Sequence, residues 1–254
     1  AHRGHPVTLF HTHDLPDPVP LRPAGTGQLI GQDVPRLDLP SKLDGSANFA
    51  GDVRLPDMVF AAIRQGPIGD TNLKSFNRQG AAKITGFIDV VKGETWIAAV
   101  ATNWWAANWA LDKMSPVFET KGFLPDSDKI DTALQAALDD GEGIRFVSRG
   151  ETKGVFQKDN SVSARYHADA AIHAPIETRT APADYKDGGL ELWMATQAPV
   201  AAVQAAARAL NIGQDRVTLY PMLSGGSFDR NLDNDIAGQV ALIARQMERP
   251  VQLV

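Results

Sequence analysis

The chain has 254 residues, of which 43% are hydrophobic and 22% are charged, as expected for a globular protein of one large or two modest domains. Its net charge of −5 and the lack of a dense basic run argue against nucleic acid as a main partner. No apolar run in the sequence is long enough to span a bilayer. Because there is no cysteine, the chain itself cannot supply a disulfide, a thiolate nucleophile or a cysteine-ligated cluster.

Residues 1–40 are rich in Pro, His, Asp and Gly and show little periodicity. Four histidines lie close together in sequence: His2, His5, His11 and His13. A metal site is one interpretation, since imidazole is a common ligand. A solvated arm is the other, and this composition favours it. We predict an extended arm or linker over residues 1–40, with residues 18–40 crossing the surface of a neighbouring domain.

Residues 41–120 predict several strands and one helix. Three runs predict strands, the second and third joined as a hairpin: 58–64, 83–91 and 96–100. Asn103 suits the N-cap of a helix over Trp104–Met114. Trp105 and Trp109 lie one turn apart on that helix, so they either pack in a core or stack on a cofactor. Core packing is the use that large aromatic side chains favour.

Residues 121–144 predict a connector. Ile130, Leu134 and Leu138 recur at every fourth position, which indicates a short amphipathic helix that ends at Asp140-Gly141. Residues 161–172 can form a strand. The following His173 and Glu177 form either an acid–base pair or local hydrogen bonds that shape a loop, and we favour the second interpretation.

Residues 190–247 predict strand, helix, strand, tight loop and helix. The predicted elements are a strand over 190–197, a helix over 199–210, a strand over 216–220 and a last helix that Asp233 or Asn234 caps and that runs through Met247. The loop between them contains Gly225 and Gly226 and is either a plain tight turn or an anion-binding loop. Residues 251–254 indicate the beginning of a core strand, as in a piece of a longer chain or one half of a split one.

Two motifs at this spacing resemble those of a known family. Thr196-Gln197-Ala-Pro is followed by Gly225-Gly226-Ser227-Phe228-Asp229, where the molybdopterin-binding large subunits of the xanthine oxidase family usually have Thr-Gln-x-Pro and Gly-Gly-Gly-Phe-Gly. The chain is most similar to the branch of the isoquinoline 1-oxidoreductase beta subunit and periplasmic aldehyde dehydrogenases, from about Leu37 to Val254. Residues 42–49, 55–58 and 103–107 resemble the α/β hammerhead domain of that family.

The resemblance implies an α+β fold, with an α/β hammerhead domain followed by the first part of a molybdenum-cofactor-binding domain. We place the hammerhead at 41–120, the connector at 121–144 and the incomplete first molybdopterin-binding domain at 145–254. The resemblance also implies that the Gln197 amide donates to the apical molybdenum oxygen. The backbone N–H groups of Phe228 and Asp229 are implied to face the same oxygen. Gly225, Gly226 and Ser227 are implied to form the loop whose backbone approaches the cofactor closely. The glutamate that acts as base in the family lies outside this chain, so the catalytic residue is unknown, and no metal ligand is predicted.

The function that the resemblance implies is a molybdenum-dependent oxidoreductase that oxidises aldehydes or hydroxylates N-heterocycles, with water as the oxygen source. The implied cofactor is molybdenum–molybdopterin in its cytosine dinucleotide form. The implied partners are the remaining molybdopterin-binding polypeptide, a 2Fe–2S subunit and a membrane cytochrome c subunit, and the implied location is the periplasm, attached to the inner membrane through partners. The isolated chain is then expected to be inactive and to hold the cofactor weakly.

Ser227 and Asp229 depart from the glycines of the family motif. An aspartate with positive φ costs backbone energy that glycine avoids, and its carboxylate places negative charge beside an anionic cofactor. Arg230 is the predicted partner of that charge. These departures keep a second function open, a non-catalytic structural or assembly subunit whose cofactor loop has degenerated.

Overall fold

The structure is a computed structural model that describes residues 16–122, 124–140, 143–150 and 161–254. The strands in these ranges are β1 Val59–Gln65, β2 Asp70–Ser75, β3 Phe87–Lys92, β4 Trp96–Ala101, β5 Val117–Lys121, β6 Ala181–Lys186, β7 Gly189–Met194, β8 Val217–Pro221 and β9 Val251–Leu253. The helices are α1 Leu39–Leu43, α2 Trp104–Met114, α3 Ser127–Asp140, α4 Pro199–Leu210 and α5 Asp235–Met247. The predicted α+β class is confirmed.

Seven strands form one mixed sheet in the order β3-β4-β1-β9-β6-β7-β8, and β2 and β5 form a separate antiparallel pair. The strand β9 lies in the middle of the large sheet, parallel to β1 and antiparallel to β6. All three of its residues are buried, so the predicted core strand is confirmed. The sheet thus joins strands from residues 41–120 and 145–254, and the division into those domains stays a prediction.

Helices cover the sheet on both faces. Trp96, Ala98 and Val100 of β4 point into the core beneath α4 and α5, and the alternate residues of the same strand point into a second core beneath α2. All six residues of β4 are buried for this reason. The edge formed by β7 and β8 is therefore held rigidly by α4 and α5, and the loops that leave it carry the predicted site.

Helix α2 has the predicted bounds, and Asn103 caps it, because its Oδ1 accepts a hydrogen bond of 2.9 Å from the Ala106 N–H. The predicted core packing of its tryptophans is wrong, since Trp105 is 67% exposed and Trp109 is 47% exposed. The small residues Ala107 and Ala110 face the sheet instead and are fully buried. They allow the helix backbone to approach β4 closely, and the tryptophans then fall on the outer side of the helix.

Helix α3 is confirmed and ends at Asp140, but it has no buried residue. Its apolar stripe is uncovered, with Leu134 61% and Leu138 65% exposed. The strand predicted over residues 161–172 is wrong: this segment has no regular structure and is exposed. No neighbouring strand pairs with it in the described part of the chain, and the sheet resumes only at β6.

The arm is described only from residue 16, and residues 16–38 contain neither helix nor strand and are almost wholly exposed. The histidine cluster, His2, His5, His11 and His13, lies outside the described residues, and the path of residues 18–40 over a neighbouring domain stays a prediction. Across the described ranges, none of the helices combines the length and apolarity that crossing a membrane would require.

Candidate functional site

The predicted glycine loop connects β8 to α5 and packs against residues 175–177. Gly226 has a φ of 110°, a conformation that side chains rarely adopt. A Cβ atom on Gly225 would lie 2.7 Å from the Glu177 Cβ, so no side chain fits there without displacement. Both glycines are therefore required by close approach to the chain's own residues, and the opposite side of the loop remains available to a ligand.

Glu177 holds this loop in place. Its Oε2 accepts a hydrogen bond of 2.5 Å from the Gly225 N–H, and its own N–H donates to the Gly225 carbonyl oxygen at 3.4 Å. Burial raises the pKa of the Glu177 carboxyl, against the opposing effect of the Gly225 N–H, and the charge of Asp52 raises it further. His173 is exposed. The loop-shaping interpretation is thus confirmed for Glu177.

The Thr-Gln motif follows β7 and leads into α4. Thr196 Oγ1 accepts a hydrogen bond of 3.0 Å from the Ala198 N–H, and the Gln197 N–H donates to the Asn231 carbonyl oxygen at 3.1 Å. Asn231 is 8% exposed, and its Nδ2 donates to Ser224 Oγ at 3.1 Å. Asn231 therefore ties the two motifs together. Sequence reasoning missed it because it belongs to neither motif and no periodicity marks it as buried.

Three of the predicted site residues meet in a single hydrogen-bonded group. Ser227 Oγ donates to Gln197 Oε1 at 2.8 Å, and Gln197 Nε2 donates to Asp229 Oδ1 at 3.1 Å. Phe228, between them in sequence, is 73% exposed. The two residues that depart from the family's glycines are thus the two whose side chains bind Gln197.

Asp229 has a φ of 66°, so it bears the backbone cost that a positive φ imposes on aspartate. The predicted pairing of its carboxylate with Arg230 is wrong, because the Arg230 guanidinium instead bonds the Asp233 carboxylate one turn further on. Asp233 also receives Arg179 Nη2 on its carbonyl oxygen at 2.5 Å. The neutral amide of Gln197, and not a guanidinium, is the hydrogen-bond donor to Asp229.

The arginine pair braces the beginning of α5. Burial raises the pKa of Asp233, but the hydrogen bonds from Arg230 and the Asp235 N–H and the charge of Arg179 outweigh it and lower the pKa overall. Burial lowers the pKa of the Arg179 guanidinium, and the nearby Arg230 lowers it further. Asp233 Oδ1 accepts from the N–H of Asp235, the first helical residue of α5, at 3.1 Å. The N-cap position itself is Asn234, whose side chain makes no capping hydrogen bond.

The loop can hold a group rich in oxygen atoms. Within the described ranges, the backbone N–H groups of Phe228 and Asp229 have no acceptor. Both residues have left-handed backbones, with φ of 49° and 66°, and successive N–H groups in such turns form anion-binding concavities. The Gln197 amide has a second N–H besides the one donated to Asp229. The residues present therefore fit a cofactor oxygen, although the individual roles of Gln197, Gly225, Gly226, Ser227, Phe228 and Asp229 stay predictions.

Comparison with known proteins assigns the second part of the chain to a cofactor-binding domain. Residues 138–254 match the family model of the molybdopterin cofactor-binding domain. The chain is 26% identical over 252 residues to the beta subunit of isoquinoline 1-oxidoreductase from Brevundimonas diminuta, an alignment that covers 93% of this chain and 32% of that protein. It is 26% identical over 254 residues to a nicotinate dehydrogenase subunit of Pseudomonas putida, which covers 96% of this chain and 21% of that protein.

The fold is similar to that of quinoline 2-oxidoreductase from Pseudomonas putida 86, with a TM-score of 0.67, 20% identity, and coverage of 88% of this chain and 34% of that one. The chain thus spans about a third or less of the length of the relatives it matches. The resemblance predicted from the two motifs is confirmed. This chain carries a molybdopterin cofactor-binding domain over residues 138–254 and is homologous to the isoquinoline 1-oxidoreductase and nicotinate dehydrogenase subunits, with a fold similar to that of quinoline 2-oxidoreductase.

Proposed function

We propose that this chain supplies part of the cofactor site of a molybdenum–molybdopterin oxidoreductase that oxidises aldehydes or hydroxylates N-heterocycles, with water as the oxygen source. The observation that carries the proposal is the pair of N–H groups on Phe228 and Asp229 that lack an acceptor in the described ranges and lie on the loop that Gln197 contacts, inside a molybdopterin cofactor-binding domain. The relatives are named for the oxidation of isoquinoline and nicotinate, both N-heterocycles.

Each residue of the loop has a binding or orienting role in this proposal. The N–H groups of Phe228 and Asp229 and the second N–H of Gln197 would donate to oxygen atoms of the cofactor. Gly226 provides the backbone turn, and Glu177 fixes the loop through Gly225. When bound, the cofactor supplies oxygen transfer from water and accepts two electrons. The base that removes the substrate proton is assigned to no residue of this chain.

The proposal includes further components. The cofactor is the cytosine dinucleotide form, and the remaining molybdopterin-binding polypeptide completes its site. Electrons leave through a 2Fe–2S subunit, since this chain has no cysteine to ligate a cluster, and pass to a membrane cytochrome c subunit. Two of the relatives are named as subunits, which supports an assembly. The complex would lie in the periplasm, attached to the inner membrane through partners, and the isolated chain would be inactive.

A dye-linked oxidation assay on the native complex tests the proposal, with a panel of aldehydes and N-heterocycles as substrates. Gln197→Ala should lower kcat by roughly 10- to 100-fold, the loss typical of groups that orient a metal site. Gln135→Ala on the exposed face of α3 is the matched control and should leave kcat unchanged, since Gln135 lies on a different element from the loop and its side chain donates to Asp139 of its own helix. Full activity in the Gln197→Ala complex would contradict the assigned role.

A non-catalytic assembly subunit is the second candidate function. The observation that favours it is that the side chains of Ser227 and Asp229 already form hydrogen bonds with the Gln197 amide. Asp229 also places a carboxylate beside the expected position of an anionic cofactor. A complex that contains every polypeptide but no molybdenum and no pterin would establish this candidate and exclude the first.

A further inference from the structure

We propose that Ser227 and Asp229 are positioning residues that hold the Gln197 side-chain amide in one orientation, with its N–H end toward the cofactor. The inference rests on the proposed function and deepens it. It assigns a role to the two residues at which this chain departs from the glycines of the family motif.

The hydrogen-bonding capacities of the three side chains permit only one arrangement. The Asp229 carboxylate can only accept, so the end of the amide that it contacts at 3.1 Å must be the NH₂ end. Ser227 Oγ accepts the Asn231 N–H at 2.9 Å and retains its own hydrogen, which it donates to Gln197 Oε1 at 2.8 Å. A flipped amide would place its oxygen against a carboxylate, which is unfavourable.

The group is anchored to the buried residue that joins the two motifs. The Asn231 N–H donates to Ser227, and its carbonyl oxygen accepts from the Gln197 N–H. Both ends of the Gln197–Ser227 contact are therefore fixed to one residue that is 8% exposed. Such a network orients a ligand-facing group in the way that outer hydrogen bonds orient the ligands of a metal.

Asp229 supplies this contact at a cost to the backbone. Its φ of 66° is a conformation that glycine adopts freely and that aspartate adopts with strain. Glycine at positions 227 and 229 would relieve the strain at Asp229 and remove both side-chain contacts to Gln197. If Asp229 has a purely structural role, Asp229→Gly should lower the unfolding midpoint. If it has a positioning role, Asp229→Gly should leave the midpoint unchanged or raise it and should speed the loss of molybdenum.

The test compares the native complex with complexes that carry Asp229→Gly, Ser227→Gly/Asp229→Gly and Ser227→Thr/Asp229→Asn. Molybdenum and pterin retained during dialysis, and the temperature midpoint of unfolding, are measured for each. Both glycine variants should lose molybdenum several-fold faster than wild type, and the double variant roughly tenfold faster. The unfolding midpoint of Asp229→Gly should be unchanged or higher. The Thr/Asn variant keeps a hydroxyl and an acceptor oxygen and should retain molybdenum as wild type does.

Asp187→Gly is the matched control, since Asp187 also has a positive φ, 52°, and lies in the β6–β7 turn away from the loop. It should raise the unfolding midpoint without changing molybdenum retention. Equal or better retention in the glycine variants, or a Thr/Asn variant that behaves like them, overturns the positioning role alone. A wild-type complex with all polypeptides and no molybdenum overturns the proposed function as well, so the two failures are distinguishable.

Discussion

Phe228 and Asp229 adopt left-handed backbones one after the other, at a cost of roughly 1–2 kcal/mol for each non-glycine residue. Strain of this kind persists where the surrounding contacts determine it. Here the Gln197 amide bonds the Asp229 side chain, and the Asn231 N–H bonds the side chain of Ser227, just before the two strained residues. The strained turn contains two N–H groups without an acceptor in the described ranges, which is the feature that suits the loop to an anionic ligand.

Gly226 should tolerate no side chain. Gly226→Ala is expected to lower the free energy of unfolding by about 1–2 kcal/mol, because its φ of 110° is unfavourable for alanine and the new Cβ would lie 3.3 Å from the Pro175 Cβ. Gly51→Ala is the control, since a Cβ there meets nothing within 4 Å and its φ is not positive. Chemical denaturation measures both variants. Equal stability of the two would contradict the requirement for glycine.

Glu177 should make the stability of the loop pH-dependent. Burial raises its pKa in the folded state, so its contribution to folding is present below the unfolded pKa of about 4.5 and is lost as the pH rises through the folded value. The unfolding midpoint of wild type relative to Glu177→Gln should therefore fall as the pH rises above about 4.5.

Glu119 provides a control for which the pH dependence of stability should have the opposite sign. Its hydrogen bond with Lys74 lowers the pKa of Glu119, so its contribution to folding stability is lost as the pH falls. The unfolding midpoint of wild type relative to Glu119→Gln should therefore rise as the pH rises. This effect should be small because the pair is exposed to solvent. Trends of the same sign for the two variants would contradict the account of Glu177.

At the scale of single elements, burial distinguishes the helices α2 and α3. Leu111→Ala in α2 should cost about 2–4 kcal/mol, since Leu111 is fully buried and the change leaves a cavity. Leu134→Ala in α3 should change the free energy of unfolding by less than about 0.5 kcal/mol, because Leu134 is 61% exposed. Chemical denaturation of the two variants checks this. A large loss for Leu134→Ala would show that another surface covers α3.

The elements with capping and turn signals were predictable from sequence. Asn103 marks the beginning of α2, and Pro199 and Asn211 bound α4, as the structure confirms. Segments without such signals were not predictable. The stretch 161–172 has strand-like residues but no pairing partner in the described part of the chain, and the outward face of Trp105 follows from how closely alanines bring α2 to β4, which no local pattern encodes.

The candidate site was predictable in its motifs and unpredictable in its contacts. Gln197 and the loop 225–229 meet as the resemblance implied. The role of Asn231, the pairing of Arg230 with Asp233 and the contact of Asp229 with Gln197 depend on how the loop folds and on how it packs against a segment about 30 residues away. The contact of Asp229 with Gln197 is set by tertiary packing, which sequence separation alone does not reveal, whereas Arg230 and Asp233 lie three residues apart in one turn.

At the scale of the whole molecule, one sheet carries both predicted domains. The strand β9 is hydrogen-bonded to β1 on one side and to β6 on the other, and Gln252 in it donates to the carbonyl oxygens of Gly51 and Val53. The loop that holds Gln197 is thereby fixed relative to residues 41–120. The proposed cofactor site would lie on this edge, on strands that the sheet holds together.

The most direct test of the central claim is the molybdenum and pterin content of the native complex, with molybdenum measured by mass spectrometry and pterin by fluorescence after acid release. The intact mass of every polypeptide is measured in the same sample. The proposed function predicts about one molybdenum and one pterin per complex, together with a further polypeptide that completes the cofactor site. A complex with all its polypeptides and neither molybdenum nor pterin would contradict it and would leave this chain an assembly subunit.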